Sequence, residues 1–425
     1  MEKFANRIER ILTPFGAKLQ NVTFMQSISE SLQATLPILI VGSFATLISS
    51  LDVGPWQGIV KSIPGLIPVC QKITSFTSGG FTLLMLIALA QLYCKKIEVK
   101  EYISCTALTV AVFLILSEVT DGNIASSALG MRGMILALFV GILVPKSVKA
   151  LIDRNVRIRM PNSVPKFVEE GFTILLPACI ICIAASVINY FFTLLGYSSF
   201  QTFFYSTIQI PLQGIGLSFG GFVFISCLGA LVMWPGLHAS TISAFIQPLA
   251  LTASAANLEA WNLGKTLPNV IEYSFMQSAK FGGGANLLLP CLIALIFCKS
   301  KQLKSVAGLG IVPAVFCIGE PILFGFPMML NPMMLIPMIL STITTYTIYY
   351  AGIVSGMVGQ FTGVVLPWTT PPILNVALSS STPLRAIIMQ LAAMAVGILI
   401  YYPFVKGYDN QLVEKEKQAE QMISE

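Results

Sequence analysis

The stretch Gly171-Phe-Thr-Ile-Leu-Leu-Pro-Ala-Cys-Ile-Ile-Cys-Ile-Ala-Ala-Ser-Val-Ile-Asn-Tyr-Phe-Phe-Thr-Leu-Leu-Gly196 runs for 26 residues without one charged side chain. A helix rises 1.5 Å per residue, so roughly 20 apolar residues cross a hydrocarbon core of about 30 Å. In that core no water is present to bond a free N–H or C=O, and a helix satisfies them within the segment. This segment therefore reads as a membrane-spanning helix, and the chain as an all-α integral membrane protein.

The rest of the sequence agrees with that solvent. Of 425 residues, 55% are apolar and 10% charged, and mean hydropathy is +0.80. A soluble domain of this length needs more charge on its surface. Further spans are expected at 29–51, 73–94, 102–118, 129–151, 217–237, 285–299, 326–350 and 383–405. Charges cluster between them. The formal charge of +6 resides in short loops, which is the pattern of topology determinants and not of a nucleic-acid face.

Loop charge also gives an orientation. Residues 1–18 (MEKFANRIERILTPFGAK) read as a basic amphipathic segment on the cytoplasmic face, and no cleavable signal peptide is visible. With the N-terminus inside, the loop of Lys95, Lys96 and Lys100 falls inside, the acidic turn at Glu118 outside, and the basic stretch 146–166 inside again. The nine cysteines fall mostly in apolar segments; the Cys179/Cys182 pair lies mid-helix with no matching ligand pair and reads as buried small hydrophobes.

Three segments of the second half are apolar but interrupted by Gly and Pro: 266–290, 306–327 and 352–375. Broken backbone at membrane depth survives only where protein or a water-filled cavity satisfies it, and such segments commonly carry a transporter's site. Residues 1–215 thus read as scaffold, 216–405 as the substrate-binding half, and 406–425 as a polar, fraying tail on the cytoplasmic side.

Candidate site residues gather in that second half. Glu320, in Pro313-Ala-Val-Phe-Cys-Ile-Gly-Glu-Pro321, is a carboxylate deep in an apolar, broken segment, where an unpaired charge costs several kcal/mol. Pro321 is expected to hold it in extended backbone. His238 is the single histidine and follows Trp234-Pro235-Gly236, where a helix must break; it reads equally well as an interfacial residue. One His with one distant Glu makes no metal ligand set, and no metal or cofactor is expected. Trp234, Trp368, Thr369, Thr370, Asn286 and Gln277 combine stacking faces with hydrogen-bonding groups, as sugar recognition requires. The alternative for the tryptophans is an interfacial belt.

Motifs along nearly the whole chain carry a resemblance. They are Ile11-Leu-Thr-Pro14, Leu36-Pro-Ile-Leu-Ile-Val-Gly-Ser43, Met160-Pro-Asn-Ser-Val-Pro165, Gly236-Leu-His238, Gly282-Gly-Gly284, Glu320-Pro-Ile-Leu-Phe-Gly325, Asn331-Pro332 and Pro367-Trp-Thr-Thr-Pro-Pro372. In this order they resemble the IIC permeases of the lactose/cellobiose/chitobiose branch of bacterial sugar phosphotransferase systems. The likeness implies a homodimer of about ten transmembrane helices per protomer with re-entrant hairpins, dimerising through 1–215, in which one domain moves the substrate as an elevator. It implies that a sugar is phosphorylated on a primary hydroxyl by a phosphocysteine on a separate IIB protein, with IIA and the phosphocarrier upstream. It places Glu320 and His238 near the reacting hydroxyl, and Gly282, Gly283 and Gly319 in the same site. Cys317-Ile-Gly319 stands where members carry an Asn-rich lead, and Met233 where a Trp is usual. The implied location is the bacterial inner membrane, with lipid around the helices and both termini cytoplasmic. Other readings of the residues are a sugar facilitator without phosphorylation and a membrane sensor that has lost transport.

Overall fold

The computed structural model describes residues 22–50, 56–77, 79–120, 123–124, 126–130, 133–158, 166–235, 240–326 and 328–424. The amphipathic segment at 1–18, the loop Met160–Pro165 and His238 lie outside the described residues. The chain divides into two compact units, Asn21–Ile215 and Gly216–Glu425.

In the N-terminal unit the helices are α1 (Thr23–Ser50), α2 (Trp56–Ser62), α3 (Leu66–Phe76), α4 (Phe81–Lys96), α5 (Tyr102–Leu116), α6 (Ser126–Leu129), α7 (Met134–Asp153), α8 (Lys166–Leu194), α9 (Phe200–Phe204) and α10 (Ile210–Gly216). A two-residue hairpin, β1 (Val119–Thr120) with β2 (Asn123–Ile124), follows α5. α1 packs on α3 and α4, α4 on α5 and α7, and α5 on α7 and α8. Hydroxyls inside α1 bond carbonyls one turn back, as Thr35 Oγ1 does to Ser31 O at 2.7 Å, so an apolar helix carries them without unsatisfied donors. Lys96 Nζ reaches Glu30 Oε1 at 2.7 Å and ties α4 to α1.

The C-terminal unit contains α11 (Phe219–Met233), α12 (Ser240–Asn262), α13 (Tyr273–Ser278), α14 (Leu288–Phe297), α15 (Lys301–Val315), α16 (Glu320–Gly325), α17 (Pro332–Val354), α18 (Pro372–Ser379) and α19 (Pro383–Ser424). α17 is the hub: α11 and α19 pack on it, and α14 and α18 pack on α19. An aromatic nest of Phe222, Phe275, Tyr346, Tyr349 and Phe361 fixes α13 against α11 and α17, with Phe275 stacked on Tyr346 at 5.8 Å and Tyr349 on Phe361 at 5.7 Å.

Among the described residues six helices are long and apolar enough to cross a membrane: Thr23–Thr46, Leu66–Lys96 (α3 with α4), Met134–Asp153, Gly171–Leu194, Pro332–Val354 and Pro383–Gln418. Their apolar side chains face outward, Ile183 at 64% exposure and Leu384 at 71%. Outward apolar surface on this scale is what lipid, and not water, accommodates. Three expected spans are shorter, among them α11 with 15 residues, which is bent by 70° from the helical stretch Phe200–Gly216 before it. α5 has 15 residues and rises about 22 Å, and α14 has 10, cut off by the turn at Gly284–Asn286 in front and extended Cys298 behind.

The tail is not frayed. α19 runs unbroken for 42 residues, and its polar end docks. The buried Asp409 carboxylate accepts from Lys299 N at 2.9 Å, from Ser300 N at 2.8 Å and from Lys406 Nζ at 2.6 Å. Glu416 accepts from Ser300 Oγ at 2.7 Å and from the N–H of Gln302 at 3.1 Å. These carboxylates cap the free N–H groups at the start of α15, which is the reason a charged helix end stays ordered there.

Candidate functional site

The three interrupted segments fold as broken helices, and each break is supported. In 266–290 the chain enters through Glu272, whose buried carboxylate bonds the Ser254 hydroxyl and accepts from Phe275 N at 2.9 Å, capping α13. Glu320 therefore shares its character as a carboxylate in an interrupted segment. Glu272, in Val270-Ile-Glu-Tyr-Ser, is a second, and its acceptors are used in holding backbone.

From the last turn of α13 onward, carbonyls that a continuous helix would consume are taken by side chains from α17 and α19. Tyr346 Oη donates to Met276 O at 2.7 Å, Gln390 Nε2 to Ser278 O at 2.7 Å, and Tyr401 Oη to Ala285 O at 2.5 Å. This is the internal satisfaction that broken backbone demands away from water. Asn286 closes the turn: its Oδ1 accepts from Phe281 N at 3.0 Å, while Nδ2 reaches Ser341 Oγ at 3.4 Å and Thr345 Oγ1 at 3.3 Å.

The glycine run is needed for its backbone. Gly282 and Gly283 have φ of +79° and +87°, a region side chains disfavour. A Cβ on Gly283 would stand 2.7 Å from Cys317 O, and one on Gly319 2.4 Å from Gly282 O. The turns at Gly282–Gly283 and Cys317–Gly319 therefore meet backbone to backbone. The third segment joins them: Cys317 Sγ lies 3.6 Å from Thr370 O, and Thr370 N closes a turn on Pro367 O at 2.9 Å.

Of the residues singled out from sequence, Gly282, Gly283, Gly319 and Thr370 are thus brought together, with Glu320 next in chain. Glu320 is half-buried and is the first residue of α16, not extended backbone. Pro321 tolerates this because N–H groups of a first turn have no intrahelical partner to lose. Thr369 is half-buried and Trp368 is 42% exposed in the same turn. Trp234 sits elsewhere. It is fully buried in an apolar cluster with Met233, Leu287 and Met334, and its Nε1 donates to Asn331 O at 2.9 Å. That placement ties the end of α11 to the start of α17 and leaves no open ring face.

Beside the glycine turn lies a cavity of ≈ 580 Å³, measured out to its mouth, within the C-terminal unit. α11 contributes Ser226 and Gly229, α12 Ser243 and Ile246, the broken segment Lys280, Gly284 and Asn286, and α17 Thr342 and Tyr346. Of the candidates that the sequence alone suggests, this lining contains Asn286. It also contains Ser226, Ser243, Lys280, Thr342 and Tyr346, which the sequence reading does not single out. The hydroxyls sit in ordinary span sequence and carry no signal. Lys280 does carry one, as the cation in the apolar run Ser274-Phe-Met-Gln-Ser-Ala-Lys-Phe281, to which the default functional reading of intramembrane charge applies as it does to a carboxylate. Among the described residues no group of three His, Cys, Asp or Glu is placed to hold a metal.

Comparison with known proteins places this geometry in a family. Residues 29–342 match the family model "Phosphotransferase system, EIIC". The chain is 28% identical to the oligo-beta-mannoside-specific EIIC component of Bacillus subtilis, covering 99% of this chain and 97% of that one. It is 27% identical to the cellobiose-specific EIIC component of Geobacillus stearothermophilus, over 100% and 98% of the two chains. Among solved structures it resembles the transporter ChbC, the IIC component of the N,N'-diacetylchitobiose-specific phosphotransferase system, with a TM-score of 0.91 at 27% identity over 96% of this chain and 99% of that one. The chain accordingly belongs to the phosphotransferase system EIIC family, as the membrane-spanning sugar permease that works with IIA and IIB partners.

Proposed function

We propose that this permease moves a β-linked oligosaccharide inward and holds its primary hydroxyl for phosphorylation by a phosphocysteine on a separate IIB protein. One observation carries the reading: two interrupted segments meet backbone against backbone, the third joins them through Cys317, and the glycine turn borders a cavity lined by hydroxyls, an amide and a cation. Such lining offers paired donors and acceptors to sugar hydroxyls. The substrate names of the relatives, oligo-beta-mannoside, cellobiose and N,N'-diacetylchitobiose, support a β-linked oligosaccharide. A lactose-specific EIICB component of Staphylococcus aureus, of which this chain covers 74%, supports a IIB domain working beside a C component.

Transfer would proceed as follows. The hydroxyl oxygen attacks phosphorus, the P–S bond breaks, and the thiolate leaves on IIB. Glu320 takes the hydroxyl proton, with His238 as its partner at the reacting group. Positioning and electrostatic stabilisation supply most of the rate in phosphoryl transfer, which suits a site built on fixed backbone. Thr369, Thr370, Asn286 and Trp368 would hold the sugar. The fuller architecture in this reading is a homodimer of about ten spans per protomer with re-entrant hairpins, the C-terminal unit carrying the sugar as an elevator. It sits among the lipids of a bacterial inner membrane with both termini cytoplasmic.

A thermal-shift panel of mono- and disaccharides on the purified protein and on Glu320→Gln tests it. Stabilisation by one sugar class, weakened in the variant, is expected; a protein that no sugar stabilises contradicts it.

A further inference from the structure

We propose that Lys280 makes this cavity an oxyanion site: the sugar held there bears a negatively charged group, and the Lys280 ammonium binds it. The inference rests on the permease reading and adds the chemical class of the ligand.

Lys280 is the one charged residue among the described lining of the cavity. Its ammonium forms no ion pair and no hydrogen bond with any described residue, whereas Lys96, Lys149 and Lys406 each reach a carboxylate within 3.2 Å. The nearest carboxylate in its own segment, Glu272, is committed to Ser254 and Phe275 N and does not line the cavity. A charge withdrawn from bulk water and left without a counter-charge is unfavourable, and a ligand that supplies the counter-charge removes that penalty.

The lysine is also held in place. The carbonyls of Ser278 and Ala279, just before it, are bonded by Gln390 and Thr345, and Phe281 N, just after it, by Asn286. A cation anchored on fixed backbone loses little freedom on binding, which favours a charge-assisted hydrogen bond. A purely neutral sugar asks for none of this: the hydroxyls of Ser226, Ser243 and Thr342 already line the cavity and suit its hydroxyls.

The oxyanion has two chemical sources, a carboxylate carried in by an acidic sugar or the phosphoryl group placed on the sugar by transfer. Three probes separate them: a neutral β-disaccharide, the same disaccharide oxidised to a uronate at C6, and its 6-phosphate. Binding of each to the purified full-length protein is measured by calorimetry, with Lys280→Met and Lys280→Arg alongside. Wild type is expected to prefer an anionic probe over the neutral one by about 30-fold, the size of a charge-assisted hydrogen bond. Lys280→Met removes the preference, weakening the anionic probes far more than the neutral one, and Lys280→Arg retains part of it. Preference for the uronate identifies an acidic substrate; preference for the phosphate alone identifies the transferred group. Equal affinity for all three, or equal losses for all three in Lys280→Met with Lys280→Arg no better, overturns the proposal and leaves the permease reading intact. A wild-type protein that binds none of them and phosphorylates none with its IIB partner overturns both.

Discussion

The carboxamide oxygen of Asn286 accepts the backbone N–H of Phe281 at 3.0 Å, while its amide nitrogen reaches Ser341 and Thr345 on α17. One buried side chain thus closes the turn that follows Gly282 and Gly283 and fastens it to the hub helix.

Replacing Asn286 by Ala leaves the Phe281 N–H buried without a partner, at a cost of about 1–3 kcal/mol. Asn286→Asp keeps the acceptor and loses the donor. The expected order of thermal stability in detergent is wild type, then Asp, then Ala. Equal midpoints for wild type and Ala would show that the turn is held by other contacts.

Gly283→Ala combines a φ of +87° with a Cβ 2.7 Å from Cys317 O, so the two turns must part. Sugar uptake is expected to fall at least tenfold, the effect of about 1.4 kcal/mol. Gly308, on α15, has open space around its would-be Cβ, and Gly308→Ala should leave uptake unchanged. Similar uptake in the two variants would refute the close approach.

How much of the molecule is legible in the chain alone follows from what each feature depends on. Spans such as α8 and α17 are legible because apolar length is a local property. Interrupted segments are legible because Gly and Pro mark breaks wherever they occur, and they lead to Gly282, Gly283, Gly319, Thr370 and Glu320. What they enclose is not local. Trp234 reads as a stacking face and is core, because its neighbours Met334 and Asn331 come from about a hundred residues away. Glu272 and Lys280 lie ten and two residues before Gly282, yet only the fold separates the carboxylate that caps a helix from the cation that faces a cavity. The tail reads as frayed because its carboxylates have no visible partners in sequence; those partners are the free N–H groups that open α15.

Asp409→Ala tests that docking. It strips acceptors from Lys299 N, Ser300 N and Lys406 Nζ, and hydrogen bonds to a charged group contribute about 1.5–3 kcal/mol. The melting midpoint should drop clearly, with Asp409→Asn intermediate. An unchanged midpoint would mean that the end of α19 adds no stability.

Trp368 is 42% exposed in the turn that Cys317 contacts. If its ring stacks on the sugar, Trp368→Ala weakens binding by up to about tenfold, as loss of an aromatic contact of roughly 0.5–1.5 kcal/mol predicts. Unchanged affinity would remove Trp368 from the site.

In the proposed permease mechanism the converging breaks hold a sugar for phosphoryl transfer at Glu320. Its most direct test is the phosphorylation of radiolabelled oligosaccharide by proteoliposomes supplied with phosphorylated IIB, comparing wild type with Glu320→Gln. Loss of a positioned general base is expected to slow transfer by about 10²–10⁴-fold, while the folded protein is retained. Near-normal phosphorylation by Glu320→Gln would remove Glu320 from the transfer step.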